Sequence, residues 1–141
     1  MSEANGQCLC KGVKFTATPK NQNVGVCHCD MCRKNNAGAF FAVDCGDTLS
    51  FENENHLGVY NSSDWAERLF CKECGSSIAW RMKNGSMSVV AVDLMDGLDQ
   101  LVLDHEVFID EKPSYYSFAE KTSQITGPEL MKMFQAGNPP Q

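Results

Sequence analysis

The sequence lacks any apolar run long enough to cross a bilayer, which takes about 20 residues. Its longest apolar stretches, such as 37–43 and 89–92, have the length of β-strands. The N-terminus, MSEANGQ, is polar and has no apolar segment of the kind that secretory signals contain. We therefore expect a cytoplasmic protein that makes no use of a membrane.

Positive charge is also scarce. Twelve Lys and Arg residues stand against 18 Asp and Glu, which gives a formal net charge of −6. Nucleic acids and anionic membrane surfaces are bound through basic surfaces, so neither is expected as a partner. The hydrophobic share of 43% is normal for a globular protein. We expect a single domain over residues 1–141 with a modest core.

Helix signals are few. Thr126 lies three residues before Glu129 and Pro128 falls in the first turn, a pattern that predicts a C-terminal helix at about 127–136. One further helical turn is expected at 34–37. Because the rest of the chain is divided by Gly and Pro into short segments, few other helices are expected.

Most of these short segments have the character of strands, and the Asn84-Gly85 pair suits a tight hairpin turn. The chain is therefore predicted to be mainly β. The expected strands are Val13 to Ala17, Phe40 to Cys45, Thr48 to Phe51, Gly58 to Tyr60, Glu67 to Phe70, Ser77 to Met82, Met87 to Val92 and Glu106 to Ile109.

Eight cysteines are the most informative feature of the chain. In a reducing compartment cysteines are metal ligands or catalytic thiols more often than disulfides. Their spacing forms a C-x-C pair, a C-x-C-x-x-C group, one lone cysteine and a C-x-x-C pair. The positions are Cys8 and Cys10; Cys27, Cys29 and Cys32; Cys45; and Cys71 and Cys74.

The two pairs, Cys8, Cys10, Cys71 and Cys74, make a complete set of four thiolates, called the quartet below. Four thiolates in a tetrahedron form a closed structural zinc site. Such a site would join the N-terminal strand to a distant hairpin. Two disulfides are the competing interpretation, and the lack of a secretory signal disfavours them.

Cys27, Cys29 and Cys32, called the trio below, have only three ligands to offer, which is the pattern of a catalytic zinc with one open position. Three alternatives stay open at this point. Cys45 could close the site, His28 could coordinate, or the cysteines could be paired differently. An open three-thiolate zinc is a weak Lewis acid, but it suits the binding of a small thiol as a nucleophilic thiolate.

Three segments in this order resemble the glutathione-dependent formaldehyde-activating enzyme family, which includes centromere protein V. They are GQCLCKGVKF at 6–15, CHCDMCRK at 27–34 and FCKECGSSI at 70–78. The chain departs from the family pattern at three points. Lys11 stands where the family usually has Gly, Ala37 either replaces an expected Gly or marks an insertion, and Cys45 is an addition.

The resemblance implies a tent-like, zinc-ribbon-related fold of short antiparallel sheets with two Zn²⁺ per chain. The structural zinc would lie on the quartet and the second, catalytic zinc on the trio. The implied reaction joins glutathione and formaldehyde to S-hydroxymethylglutathione, which is carbon–sulfur lyase chemistry in reverse. The same expectation extends to the adduct of a related small thiol or of another aldehyde.

Three residues next to the trio are candidates for substrate binding. Arg33 and Lys34 could pair with the carboxylates of glutathione, or they could be solvated surface cations. His28 could move a proton to the new hydroxyl, or its ring could be satisfied by the backbone. Tyr115 and Tyr116 are interpreted as core or rim residues.

Two other functions are compatible with the same motifs. A non-catalytic zinc-binding module that binds a protein partner would be favoured if Cys45 closed the second site. A B-type methionine sulfoxide reductase would need a nucleophilic cysteine outside the metal sites. Cys45 is the only spare thiol, and its surroundings, VDCGD, contain no adjacent base, which argues against the reductase.

Overall fold

A computed structural model describes residues 1–137, and within them the chain is mainly β, as expected. Eleven strands, two α-helices and two short 3₁₀ turns make up this part of the chain. The strands are β1 Ala4–Gln7, β2 Lys14–Ala17, β3 Asn23–Cys27, β4 Phe40–Asp44, β5 Ser50–Phe51, β6 Leu57–Asn61, β7 Ala66–Cys71, β8 Ser77–Met82, β9 Ser88–Ala91, β10 Val102–Val107 and β11 Ser123–Ile125.

The helices are short. They are α1, Asp30–Asn36, and α2, Gly127–Gln135, and the 3₁₀ turns are Val92–Leu94 and Ile109–Glu111. Neither helix in the described residues has the length and apolar character that a membrane crossing requires.

The chain divides into two compact units. Unit 1 consists of Met1–Gln22 and Ala42–Gln100, and unit 2 of Asn23–Phe41 and Leu101–Gln141. Each unit is thus built from two separate stretches of sequence. The single domain expected over residues 1–141 stays a prediction.

Unit 1 is antiparallel throughout. One sheet has the order β1-β2-β5, and in the other unit-1 pairings the end of β4 lies beside β9, which is followed by β8, β7 and β6. The expected hairpin joins β8 to β9, and Gly85 at its turn has a φ of 78°, which Gly adopts at low cost. Fully buried side chains of this unit include Val13, Leu69, Ile78 and Val90.

Both tryptophans of the chain lie in unit 1. Trp65 precedes β7 and Trp80 lies in β8. Their ring centroids are 5.5 Å apart with planes at 75°, an edge-to-face contact. Trp65 is half exposed, so this pair forms part of the surface of the unit.

Unit 2 contains parallel pairing. Strand β10 lies between β3 and β11 and runs parallel to both. The mainly β class holds, but the expectation of antiparallel sheets does not extend to these strands. Gly25 in β3 faces His105 in β10, where an added Cβ would lie 2.2 Å from the ring Nε2. The His105 ring therefore occupies the space that a side chain at position 25 would need.

The C-terminal helix confirms the expected capping box. The Thr126 hydroxyl accepts from the Glu129 backbone N–H at 3.2 Å, and the Glu129 carboxylate accepts from the Thr126 N–H at 3.0 Å. The next backbone N–H, that of Gly127, donates to Asp110 at 2.8 Å. Three free N–H groups at the start of α2 are therefore satisfied by side chains.

The first helix is longer than the single turn expected at 34–37. It spans Asp30–Asn36 and begins after Cys29, whose sulfur accepts from the Cys32 backbone N–H at 3.3 Å. It ends at Ala37, which has a φ of 55° in the left-handed region. Lys11, the other position where the family usually has Gly, has a φ of 66°. Two of the three departures from the family pattern, Lys11 and Ala37, thus place a side chain on a backbone that favours glycine.

Replacing Ala37 with Gly should therefore raise the free energy of unfolding by about 0.5–1 kcal/mol. Glycine adopts the left-handed backbone conformation with less steric strain than alanine does. The measurement is the denaturant midpoint of unfolding. Ala119→Gly is the matched control, since Ala119 is exposed and does not have a positive φ. The control should be neutral or slightly destabilising. If the denaturant midpoint of A37G is no higher than that of wild type, Ala37 is not strained.

Candidate metal centres

The quartet is assembled in unit 1. Cys8 and Cys10 lie in the turn between β1 and β2, while Cys71 ends β7 and Cys74 lies in the turn to β8. The Cys10 Sγ atom is 3.7 Å from both the Cys8 and the Cys71 Sγ, and all four sulfurs lie within 4.8 Å of one another. A zinc–sulfur tetrahedron with 2.3 Å bonds has edges of about 3.8 Å. The four sulfurs therefore fit one zinc ion.

Hydrogen bonds favour the thiolate form of two members of the quartet, Cys8 and Cys74. The Val13 backbone N–H lies 3.3 Å from the Cys8 sulfur. The Ser76 hydroxyl lies 3.2 Å from the Cys74 sulfur, and its hydrogen bond, with that of the Ser76 backbone, lowers the pKa of Cys74 to about 5. Cys8 and Cys71 are buried. The other two are less covered, since Cys74 is partly exposed and Cys10 is exposed. The four-thiolate ligand set is that of structural zinc sites.

The trio is assembled in unit 2. Cys27 ends β3, Cys29 caps α1, and Cys32 lies in the first turn of α1. Their three sulfurs lie within 4.8 Å of one another. Among residues 1–137, no other Cys, His, Asp or Glu ligand atom joins this group. The trio can therefore supply three ligands to a metal ion.

Within the trio, the neighbouring thiols oppose the ionisation of Cys27. Hydrogen bonding to Cys29 and Cys32, together with burial, raises the pKa of the Cys27 thiol. A divalent cation would remove this conflict because a coordinating thiol is deprotonated by the metal. Soft sulfur ligands in a set of three fit zinc.

Cys45 belongs to neither cluster. It is fully buried in unit 1, and burial, together with the charge of Asp44, raises the pKa of its thiol to about 12. A buried thiol with a raised pKa is unreactive. Cys45 therefore lacks the property that the reductase interpretation needs.

His28 is completely buried, and side chains rather than backbone groups engage its ring. The Nε2 atom is 2.8 Å from Glu106 Oε1, and the Nδ1 atom is 3.0 Å from the Tyr116 hydroxyl. Phe118 stacks on the ring at a centroid distance of 6.0 Å. The imidazole thus has a partner on each nitrogen and an aromatic neighbour on one face.

Glu106 is the residue that sequence reasoning missed. It is 3% exposed, and its other carboxylate oxygen accepts from the Thr122 hydroxyl. Burial alone would raise the pKa of Glu106, but the hydrogen bonds from Thr122 and His28 hold it below its usual range. No spacing or motif distinguishes this glutamate from the solvated ones, since only the fold turns it inward.

The two cations after the trio share one carboxylate. Lys34 is exposed, and its Nζ atom lies 2.5 Å from Asp30 Oδ1. The Arg33 Nη2 atom lies 3.8 Å from the same oxygen. The Arg33 Nε donates to the His28 carbonyl at 2.9 Å. Arg33 is thus anchored to the backbone of the segment that carries the trio, whereas Lys34 forms a surface ion pair with Asp30.

Aromatic side chains surround His28 in unit 2. Phe118 contacts Phe41 and Tyr116, each at a centroid distance of 5.6 Å. The Tyr116 backbone carbonyl accepts a hydrogen bond from the Lys112 ammonium, which also lies 4.8 Å from the centre of the Tyr116 ring. These contacts fix the segment that carries Tyr116.

The known proteins that are similar to this chain include a curated relative and a solved structure. A Schizosaccharomyces pombe protein described as an uncharacterized lyase is 37% identical over 133 residues, which covers 94% of this chain and 97% of that protein. A crystal structure of a Rhodobacter sphaeroides protein matches with a TM-score of 0.58 at 20% identity, covering 68% of this chain and 91% of that one. The second likeness shows a shared fold.

A family model matches as well, and it covers most of the chain. The model describes the glutathione-dependent formaldehyde-activating enzyme and matches residues 3–111, a range that includes the quartet and the trio. The resemblance found in the three cysteine motifs is thereby confirmed. The chain belongs to the glutathione-dependent formaldehyde-activating enzyme family.

Proposed function

We propose that this protein is a zinc-dependent carbon–sulfur lyase that interconverts a thiol–aldehyde adduct with its thiol and aldehyde. Glutathione and formaldehyde, which form S-hydroxymethylglutathione, are the first substrates to test. The observation that carries the proposal is the trio, a set of three neighbouring thiols joined by no fourth ligand among the described residues. Family membership and the lyase description of the S. pombe relative support it.

The two clusters would have different roles. The quartet has the four thiolates of a closed structural site. The trio would hold the second zinc, which when bound would supply one open coordination position and stabilise the deprotonated form of a thiol. Cys27, Cys29 and Cys32 are the ligands in this proposal, and the chemistry takes place beside them.

Arg33 is the better candidate of the two cations for binding a carboxylate of glutathione. Its Nε is fixed by the His28 carbonyl, so the guanidinium is already oriented. An oriented guanidinium loses less entropy when it pairs with a carboxylate. The Asp30 carboxylate lies nearer to Lys34 than to Arg33, so Lys34 is the more strongly neutralised of the two.

In the forward reaction the thiolate sulfur forms a bond to the aldehyde carbon. The C=O π pair moves to oxygen, which takes up a proton and becomes the hydroxyl of the adduct, while the thiol has lost its proton to solvent. In the reverse reaction the hydroxyl loses its proton and the carbon–sulfur bond breaks.

His28 is one residue from two of the ligands, but its buried ring reaches a substrate only through its neighbours.

The test is the exchange between formaldehyde and its glutathione adduct at equilibrium, followed by NMR magnetisation transfer with the zinc-loaded protein. We expect exchange above the uncatalysed rate. Glutathione replaced by S-methylglutathione, which has no free thiol, is the control and should show no exchange.

If exchange is not accelerated with glutathione, nor with other small thiols and aldehydes, the lyase proposal is wrong. Two bound zinc ions in such an inactive protein would then favour the non-catalytic zinc module.

A further inference from the structure

Strand β6, Leu57–Asn61, forms an open edge of a sheet in unit 1, called the β6 edge below. Among the described residues it is last in the strand order and pairs only with β7, antiparallel and without a bulge. Natural proteins protect such edges with charged side chains, proline or bulges, because unpaired N–H and C=O groups bind other strands. The sequence of β6, LGVYN, contains no charged residue and no proline. The edge is therefore open to an added strand.

One hydrogen bond shows which backbone groups of β6 face outward. The Lys72 N–H donates to the His56 carbonyl at 2.8 Å, so the backbone of His56 faces β7. Bonded residues alternate in an antiparallel pair, so Val59 and Asn61 direct their N–H and C=O groups away from β7. Within residues 1–137 these groups have no backbone partner. They are the groups to which another strand would bind.

Apolar side chains are exposed along the same edge. Val59 is 47% exposed and Tyr60 62%, although their partners on β7, Leu69 and Arg68, are buried. The exposure thus results from the missing neighbour on the outer side of β6. Successive residues of a strand point to opposite faces, so an added strand would cover Val59 on one face and Tyr60 on the other. Trp65, in the turn after β6, is exposed as well.

The charges at the two ends of the β6 edge favour a basic partner. Within residues 53–64, Glu54 and Asp64 are the only Asp, Glu, Lys or Arg residues, and both are exposed. Of the nearby cations, Lys72 is followed by Glu73, and Lys83 lies after β8, further from the edge. A strand with Lys or Arg at its ends would meet opposite charges there.

A second copy of the chain fits this edge less well. In a symmetric antiparallel pair centred on Val59, Glu54 of one copy would lie opposite Asp64 of the other, so like charges would meet at both ends. Each copy also carries a formal net charge of −6, which adds repulsion. The charges therefore distinguish between the two occupants.

We propose that the β6 edge binds an extended, basic segment of a protein partner, which adds to the sheet as a further strand. Main-chain hydrogen bonds would form with Val59 and Asn61. Alternate side chains of the segment would pack on Val59 and Tyr60, and its terminal cations would pair with Glu54 and Asp64. The inference does not depend on the lyase proposal, since no cysteine of either cluster lies in β6.

Two synthetic peptides test the inference on the full-length, zinc-loaded protein. Acetyl-KVTVTVK-amide and acetyl-EVTVTVE-amide share a strand-forming core and differ only in the sign of their end charges. We expect the basic peptide to bind at least about 10-fold more tightly than the acidic one in isothermal titration calorimetry. This preference should shrink at high salt, because exposed charges are screened.

Two variants separate backbone pairing from charge. Val59→Pro removes an outward N–H and no bond to β7, so it should weaken binding of the basic peptide about 10-fold. Glu54→Lys combined with Asp64→Lys should reverse the preference between the two peptides. Asp99→Lys combined with Glu120→Lys makes the same change of net charge at exposed positions elsewhere. This matched control should keep the preference of the wild type.

Several results would overturn the inference. If the wild type binds neither peptide, or binds both equally, the edge does not take a basic strand. If V59P has the thermal midpoint of the wild type and binds the basic peptide as tightly, the peptide does not pair with β6. Should V59P fail to fold, an unreversed preference in the double charge variant has the same meaning. A wild-type dimer in sedimentation analysis that the double charge variant strengthens would assign the edge to a second copy instead.

Discussion

Replacing Cys71 with Ser is expected to unfold the protein at room temperature. Zinc bound by a complete structural site contributes about 10–16 kcal/mol to the folded state of zinc-dependent domains, whereas the whole stability of a domain is about 5–15 kcal/mol. Cys71 is fully buried at the end of β7, so its loss also leaves three thiols facing an empty position. The measurement is the loss of the cooperative thermal transition and of native circular dichroism.

Cys45→Ser is the matched control for this result, since it makes the same chemical change at another buried position of unit 1. It should cost about 1–3 kcal/mol for a buried hydroxyl and leave the protein folded with two zinc ions. A folded C71S variant that retains two zinc ions would contradict the assignment of the quartet. A C45S variant that loses one zinc ion would show that Cys45 is a ligand.

Replacing Cys29 with Ser is expected to abolish activity while the protein stays folded. The trio lies in unit 2 and the quartet in unit 1, so unit 1 keeps its complete ligand set. The variant should retain one zinc ion per chain where the wild type has two, and adduct exchange should fall to the uncatalysed rate. The checks are metal analysis of the purified protein and the NMR exchange assay.

The comparison between C29S and C71S decides whether the two clusters have separate roles. Equal unfolding of both variants would show that the trio is as structural as the quartet. Full activity in C29S would exclude the trio from catalysis. A loss of helix α1 alone is compatible with the prediction, because the Cys29 sulfur caps that helix.

The cysteine clusters were predictable because metal ligation imposes spacing. A pair such as Cys71 and Cys74 brings two sulfurs to one side of a turn, and the pattern is visible without the fold. The C-terminal helix was predictable for a similar reason, since its capping box is a local interaction between Thr126 and Glu129. Both predictions rest on contacts between residues close in sequence.

The strands that were missed have no such local signal. Strand β1, with the sequence ANGQ, has no apolar alternation, and β11, SQI, is three residues long. Strand β3 contains a glycine that a strand interior normally disfavours, and its reason is the ring of His105 some 80 positions later. Pairings of this kind depend on contacts that sequence patterns do not encode.

The same limit applies to the interior of the site. His28 and Tyr116 are 88 residues apart in sequence and His28 and Glu106 are 78 apart, yet they share one chain of hydrogen bonds. Glu106 looks like any other acidic residue of a strand until the fold buries it. The candidate metal ligands were therefore identifiable from spacing, whereas the hydrogen-bond partners of His28 were not.

The edge-to-face pair of Trp65 and Trp80 is an intrinsic fluorescence probe of unit 1. Because both indoles lie in unit 1 and none lies in unit 2, emission excited at the red edge of indole absorption comes from unit 1 alone. A chelator that removes metal only from the trio would leave that fluorescence unchanged, while removal from the quartet would shift it to longer wavelength. Indole fluorescence can thus report metal loss from the quartet alone, with no label attached.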